Sequence, residues 1–227
     1  MINAKQLYGT AIAAEDGDIG SVHDLYFDDH AWTVRYLVID TGKWLPGRKV
    51  LIVPDAILPP WHGEGELPVA LTMDQIRSSP DIDTAQPVSR QAEGLLHSHY
   101  GWAPYWSAAG LPVAPPPVLT PPSMQERRDA AVQVESLSEN PLRSTKEVIG
   151  YHVRAADGEI GHIQDILLDD DCNRVLFFVL DLDEWIVEKQ VLLSPTVISE
   201  IDWAASEVQV ELSLQAIKSS QEYKPAG

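Results

Sequence analysis

Short apolar runs separated by turn residues dominate the hydrophobic pattern of this chain. The strongest run, residues 32–40, is almost continuously β-branched or aromatic, which is typical of a strand buried on both faces. Shorter runs lie about ten residues apart, and Asp-Gly and Asp-Asp turn signals stand between them. The pattern predicts strands at residues 10–14, 19–27, 32–40, 49–53 and 67–71, followed by a short helix at residues 73–78.

The second feature of the sequence is an internal repeat. Gly9 matches Gly150, a shift of 141 positions, and the same shift superimposes two whole segments almost without a gap. Glycines that recur beside aspartates indicate backbone positions where the chain turns or approaches another segment closely. The matched positions include Asp16/Asp157, Ile19/Ile160, Gly20/Gly161, Asp24/Asp165, Val38/Val179, Asp40/Asp181, Trp44/Trp185 and Pro54/Pro195.

The repeat divides the chain into three parts. We expect a first β domain at residues 1–80, a linker at residues 81–140 and a second β domain at residues 141–227. The linker has helical spacing over residues 87–100, then an aromatic turn, then a proline-rich stretch that favours an extended chain. The expected fold class is therefore mainly β: two small barrels or sandwiches in tandem, with short helices and a Pro-rich linker.

Charge and composition exclude several classes of protein. The formal net charge of −18 disfavours binding to nucleic acid phosphates, and no basic cluster compensates for it. No apolar run has the roughly 20 residues that a membrane-spanning helix needs. The chain start resembles no secretory signal, so we expect a cytoplasmic protein. Cys172, the single cysteine, stands among acidic residues that disfavour a reactive thiolate.

The retained pattern resembles the PRC-barrel domain. It consists of Gly, then Asp-Gly-x-Ile-Gly, then Asp, then Asp-Asp, then a strand that ends in Asp40 or Asp181, then Val-Leu before a proline. The family includes the cytoplasmic domain of the photosynthetic reaction-centre H subunit. The segments at residues 79–91 and 100–106 resemble bacterial stand-alone proteins that carry two such domains. The resemblance implies PRC-type barrels and an adaptor or assembly role, without implying photosynthesis, because a fold does not fix a function.

The retained carboxylates are the first candidate functional residues. Aspartate in a turn usually satisfies its own backbone, so the turn interpretation is favoured over cation binding. By analogy with the H subunit, some of these carboxylates could relay protons. The candidate carboxylate positions are Asp16, Asp24, Asp40, Asp157, Asp165 and Asp181. His97 and His99 lie two apart on a helix and face different directions, so no metal site is predicted.

Five aromatic residues are the candidates for partner binding. Trp44 and Trp185 recur at one register in a loop that otherwise differs between the copies. Tryptophan is enriched at interface hot spots, but packing in the core or at an interface between the copies is the favoured interpretation. The linker aromatics Trp102, Tyr105 and Trp106 have the same two alternatives.

The sequence predicts a binding protein and no enzyme. No nucleophile motif, phosphate-binding loop or dinucleotide fingerprint is present, and no cofactor is predicted. We expect an adaptor or assembly protein that contacts a protein partner through a tandem-barrel pseudo-dimer, and a homodimer is possible. The alternative is a small-molecule or cation binder with its site in the groove between the copies, associated by analogy with proton relay or electron transfer.

Overall fold

The structure is a computed structural model that describes residues 1–59, 61, 65–82, 88–106, 142–182 and 189–224. The described parts of Met1–Arg77 and Pro141–Gly227 form one compact unit, and those of Ser78–Asn140 form a second. Both copies of the repeat therefore lie in the same unit. The boundaries at residues 80 and 140 remain a prediction.

The first copy builds one sheet from alternating apolar strands. Its strands are β1 (Ile2–Asn3), β2 (Ala11–Ala14), β3 (Gly17–Asp28), β4 (Thr33–Asp40), β5 (Lys49–Ile52) and β6 (Leu67–Pro68). The hydrogen-bonded order is β5-β4-β3-β2-β6, antiparallel except for the parallel pair of β2 and β6. In β4, the four residues from Tyr36 to Ile39 are all buried, as the continuous apolar run predicts.

The second copy repeats this sheet. Its strands are β7 (Leu142–Ser144), β8 (His152–Ala155), β9 (Gly158–Leu168), β10 (Val175–Leu182), β11 (Lys189–Leu193), β12 (Ile198–Asp202) and β13 (Glu207–Val210). The order is β11-β10-β9-β8-β13-β12, and the β8 and β13 pair is again parallel. The mainly β fold with two sheets confirms the expected fold class.

The described helices are short, and several of them begin at a serine whose side chain accepts a hydrogen bond from the first turn. They are α1 (Ala4–Leu7), α2 (Met73–Arg77), α3 (Arg90–Tyr100), α4 (Thr145–Val148) and α5 (Leu214–Lys218). The predicted linker helix begins at Arg90, because the Ser89 side chain accepts a hydrogen bond from the Ala92 N–H and so caps it. Within the described ranges, no helix is long and apolar enough to cross a membrane.

The copies exchange their first strands. Strand β1 of the first copy pairs with β9 of the second, and β7 of the second copy pairs with β3 of the first. Ile2 stands opposite Leu168 and Arg143 opposite Phe27, so the two exchanges have the same register after the shift of 141 positions. Two- and three-residue strands carry no periodicity of their own, and the sequence did not predict either of them.

The copies also meet at equivalent points near a pseudo-twofold axis. Thr33 and Arg174, which match in the repeat, form an antiparallel bridge. On one side the Val34 N–H donates to the Asn173 carbonyl at 2.8 Å, and on the other the Val175 N–H donates to the Trp32 carbonyl at 2.9 Å. The two sheets are therefore joined by backbone hydrogen bonds at matched positions, in an arrangement that we call the pseudo-dimer.

Two recurring glycines mark close backbone contacts. At Gly20 (φ +135°) a Cβ atom would lie 2.0 Å from the Asp40 carbonyl oxygen, and at Gly161 (φ +151°) it would lie 1.9 Å from that of Asp181. A backbone carbonyl within a sheet cannot move aside cheaply. Glycine is therefore required at both positions.

We predict that Gly20→Ala lowers the free energy of unfolding by at least about 2 kcal/mol through this clash and the backbone strain. Gly94→Ala is the control, because Gly94 lies within α3 and a Cβ there meets nothing within 4 Å. Helix propensity makes that change neutral or stabilising by up to about 1 kcal/mol. Chemical denaturation of the full chain measures both. Equal stabilities would contradict the close-contact account.

Candidate functional site

The retained carboxylate Asp24 holds the exchanged segment of the second copy. Its side chain is buried and accepts hydrogen bonds from the hydroxyls of Ser144 (2.6 Å) and Thr145 (3.0 Å) and from the backbone N–H of Lys146 (3.2 Å). The Leu25 N–H donates to the same carboxylate at 2.7 Å. Donors from both copies therefore satisfy this buried group.

Asp165 makes the reciprocal contact. It accepts from the Asn3 side-chain amide at 3.0 Å and from the backbone N–H of Lys5 at 3.2 Å, both in the first copy. Both carboxylates are close enough to act electrostatically on Tyr8, whose hydroxyl is 2.8 Å from the Thr145 hydroxyl. Burial, more than either negative charge, raises the pKa of Tyr8. The arrangement joins the copies, and the proton-relay hypothesis remains untested.

We predict that Asp24→Ala destabilises the pseudo-dimer by roughly 2–3 kcal/mol, because it leaves buried donors of the second copy without an acceptor. The control is Asp40→Ala, since Asp40 is exposed and accepts one hydrogen bond, from the Gly42 N–H. That change is expected to cost less than about 1 kcal/mol. Urea denaturation compares the two, and similar losses would show that Asp24 does not hold the copies together.

The other retained carboxylates lie at turns and strand ends. Asp16 accepts from the Met73 N–H and Asp157 from the Leu214 N–H, each at 2.7 Å, at the starts of α2 and α5. These bonds satisfy helix N–H groups that have no partner within the helix. Asp181 is half-buried at the end of β10. Two of the three matched pairs therefore have matched structural roles: Asp24 and Asp165 join the copies, and Asp16 and Asp157 bind the first N–H groups of short helices.

One acidic turn of the described chain brings together three groups of the kind that bind metals. Oxygen and nitrogen atoms of Asp28, Asp29 and His30 lie within 4.8 Å of one another. However, Arg35 pairs with Asp28 at 3.0 Å and Arg143 pairs with Asp29 at 2.5 Å. Cations of the protein already balance these carboxylates, which leaves little attraction for an added ion.

In the second copy, the aspartate side chain of the corresponding turn accepts hydrogen bonds from backbone N–H groups. Asp169 accepts from the N–H groups of Asn173 (2.7 Å) and Arg174 (3.1 Å). Cys172 is buried in the same turn. Burial, followed by the charges of the neighbouring aspartates, raises the pKa of its thiol to about 12, so it is protonated at neutral pH.

The linker aromatics pack around a buried ion pair in the second unit. Glu93 is fully buried, and it accepts hydrogen bonds from Arg90 at 2.8 Å and from the Tyr105 hydroxyl at 2.7 Å. The Arg90 guanidinium lies over the rings of Tyr105 (5.1 Å) and Trp106 (4.7 Å). These two aromatics therefore contribute to packing within this unit.

Trp102 belongs to the same cluster. Its ring stacks on Tyr100 at 4.2 Å and meets His97 edge-on at 5.9 Å. Burial lowers the pKa of His97, so the imidazole is neutral at pH 7. The packing alternative describes the observed contacts of all three linker candidates, while their binding to a partner remains a prediction.

We predict that Arg90→Ala loosens α3, because the fully buried Glu93 loses its cation, a change that costs about 3 kcal/mol or more. Hydrogen exchange of the α3 amides measures this loss locally. Leu95→Ala is the control, since Leu95 lies on the same helix and is exposed. Unchanged protection in Arg90→Ala would mean that the ion pair does not hold the helix.

The paired tryptophans differ in what the structure shows of them. Trp44 is half-buried in the first unit, with the Arg77 guanidinium 5.6 Å from its ring centroid. Trp185 lies outside the described residues. Trp44 thus keeps an accessible part that could contact a partner, and its role remains a prediction.

A groove lies between the copies, and the sequence did not indicate which residues line it. Its volume is about 430 Å³, and one wall is Pro54, Asp55, Ile57, Pro59 and Trp61 of the first copy while the other is Asp170, Asp171 and Asn173 of the second. Trp61 is 8% exposed, and its indole N–H has no hydrogen-bond partner within the described part of the chain. The groove is therefore apolar at one side and acidic at the other.

The alignment of the two copies did not single out Trp61, because this tryptophan is displaced in the repeat. At the fixed shift Trp61 matches Asp202, one position before Trp203. A bulge in β12 adds the extra residue, since the pairing with β13 shifts between Ile198 and Glu200. Allowing for that bulge would have paired the two tryptophans.

The comparison with family models agrees with the fold. The model of the PRC-barrel domain matches residues 1–69 and 142–211, which correspond to the two copies. A search of curated protein sequences found no match to the chain.

Proposed function

Since the chain belongs to the PRC-barrel domain family, we propose that it is a non-catalytic binding protein that holds a protein partner in the groove beside Trp61. The observation that carries this proposal is the groove itself. It joins a buried tryptophan to three aspartates and is formed by both copies. Aromatic anchors with a polar rim are typical of protein interfaces.

The chemistry of the retained residues supports a binding role. The buried aspartates Asp24 and Asp165 are occupied by donors of the opposite copy, and the thiol of Cys172 is buried and protonated. A catalytic acid, base or nucleophile needs access to a substrate. These groups lack that access in the folded pseudo-dimer.

We predict that a photo-crosslinking residue at Asp55 captures a specific protein from a lysate of the native host. Asp55 is exposed at the groove, and Thr196 is the control because it is exposed and holds the matching position in the second copy. Asp171→Arg should abolish the cross-link by reversing charge in the groove. Glu211→Arg, an exposed charge reversal elsewhere, should leave it unchanged.

Equal cross-linking at both positions, or a cross-link that survives Asp171→Arg, would contradict the proposal. A blank capture together with metabolite-dependent thermal stabilisation would instead support the small-molecule alternative, because the volume of the groove also suits a small ligand. Trp44→Ala in the same assay shows whether that side chain adds to the contact.

A further inference from the structure

At the position in the second copy that matches the groove, an arginine side chain lies against the tryptophan. The Arg143 guanidinium lies 4.5 Å from the ring centroid of Trp203, and its Nε–H donates to the Asp29 carboxylate at 2.5 Å. Arginine combines these contacts well, because a planar, weakly hydrated cation can stack on an aromatic face while its N–H groups bind a carboxylate.

The first copy has the same elements without the arginine. Ile2 holds the strand position of Arg143, and Asp170 holds that of Asp29. The strand register places Trp61 in the position of Trp203. The Leu58 N–H donates to the Pro68 carbonyl in the first copy, and Glu200 stands opposite Gln209, the match of Pro68, in the second. Each tryptophan follows three residues later. The groove is thus the pseudo-symmetric counterpart of the arginine site.

The carboxylates of the groove are not all paired with cations, whereas at the arginine site Asp29 is paired with Arg143. Asp170 pairs with the amino group of Met1. Asp55 and Asp171 form no hydrogen bond or ion pair with any other described residue, and the described residues that line the groove include no basic side chain. A cation that enters would meet two available carboxylates and the indole of Trp61.

We propose that the groove binds the guanidinium of an arginine side chain presented by a protein partner. The internal site at Arg143 shows that a tryptophan beside an aspartate at the matched positions accepts that group, and the net charge of −18 favours approach of a basic surface. Lysine should bind less well, because its ammonium is a compact, strongly hydrated charge that cannot form the planar fork. This proposal rests on the proposed function and specifies its partner chemistry.

The test is an NMR titration of the ¹⁵N-labelled full chain with the peptide acetyl-Gly-Arg-Gly-amide. The indole N–H signal of Trp61, assigned by its loss in Trp61→Phe, should shift and saturate. The lysine peptide should bind more weakly, and the uncharged citrulline peptide should give no shift at equal ionic strength. In the double variant Asp55→Asn, Asp171→Asn, the affinity should fall about fivefold or more.

A matched variant tests the symmetry argument. Arg143→Ala should open the second site, so that the arginine peptide also shifts the indole signal of Trp203 and raises the melting temperature of the variant. No shift of Trp61 in the wild type, or an equal shift with citrulline, would overturn the proposal. A peptide response at Trp203 in the variant with none at Trp61 would overturn it as well.

The two proposals fail in different ways. A protein that cross-links at Asp55 but is not displaced by the arginine peptide would keep the binding function and refute the arginine inference. A peptide that binds at Trp61, while no protein is captured in the groove, would show a guanidinium site and refute the protein-binding function.

Discussion

Two buried carboxylates, one in each copy, are the interaction on which the rest of the structure depends. Asp24 and Asp165 each accept hydrogen bonds from the first strand and helix of the opposite copy. A buried carboxylate is stable only when its charge is matched by donors. Most of these donors come from the other copy, and the rest are neighbouring backbone N–H groups. The exchange of β1 and β7 brings the donors of each copy to the carboxylate of the other.

Duplication within one chain then allows the copies to diverge. A symmetric homodimer must place the same residue at both equivalent sites. Here Arg143 stands in one exchanged strand and Ile2 in the other, so one site is filled from within and the other is left as a groove. The fused pseudo-dimer can keep the stabilising arginine on one side and a binding surface on the other.

Much of the fold follows from the sequence, because the repeat and the alternation of apolar residues determine the long strands. The run that became β4 is apolar enough to require burial on both faces. The exchange does not follow, since Ile2–Asn3 is too short to show a period and its partner lies far along the chain. The correspondence of Trp61 and Trp203 was hidden for a different reason: a one-residue bulge displaces Trp203 from Trp61 in the alignment. Residue type identified Asp24 and Asp165 as important, but only their hydrogen bonds show what they do.

The central claim is that the two copies unfold as one cooperative unit, and native-state hydrogen exchange under increasing denaturant tests it most directly. The account predicts that amides in β3 and β4 of the first copy and in β9 and β10 of the second reach the same opening free energy and the same denaturant dependence. If the amides of one copy exchanged through an opening that left those of the other copy protected, the strand exchange would not make the copies interdependent, and the account would be contradicted.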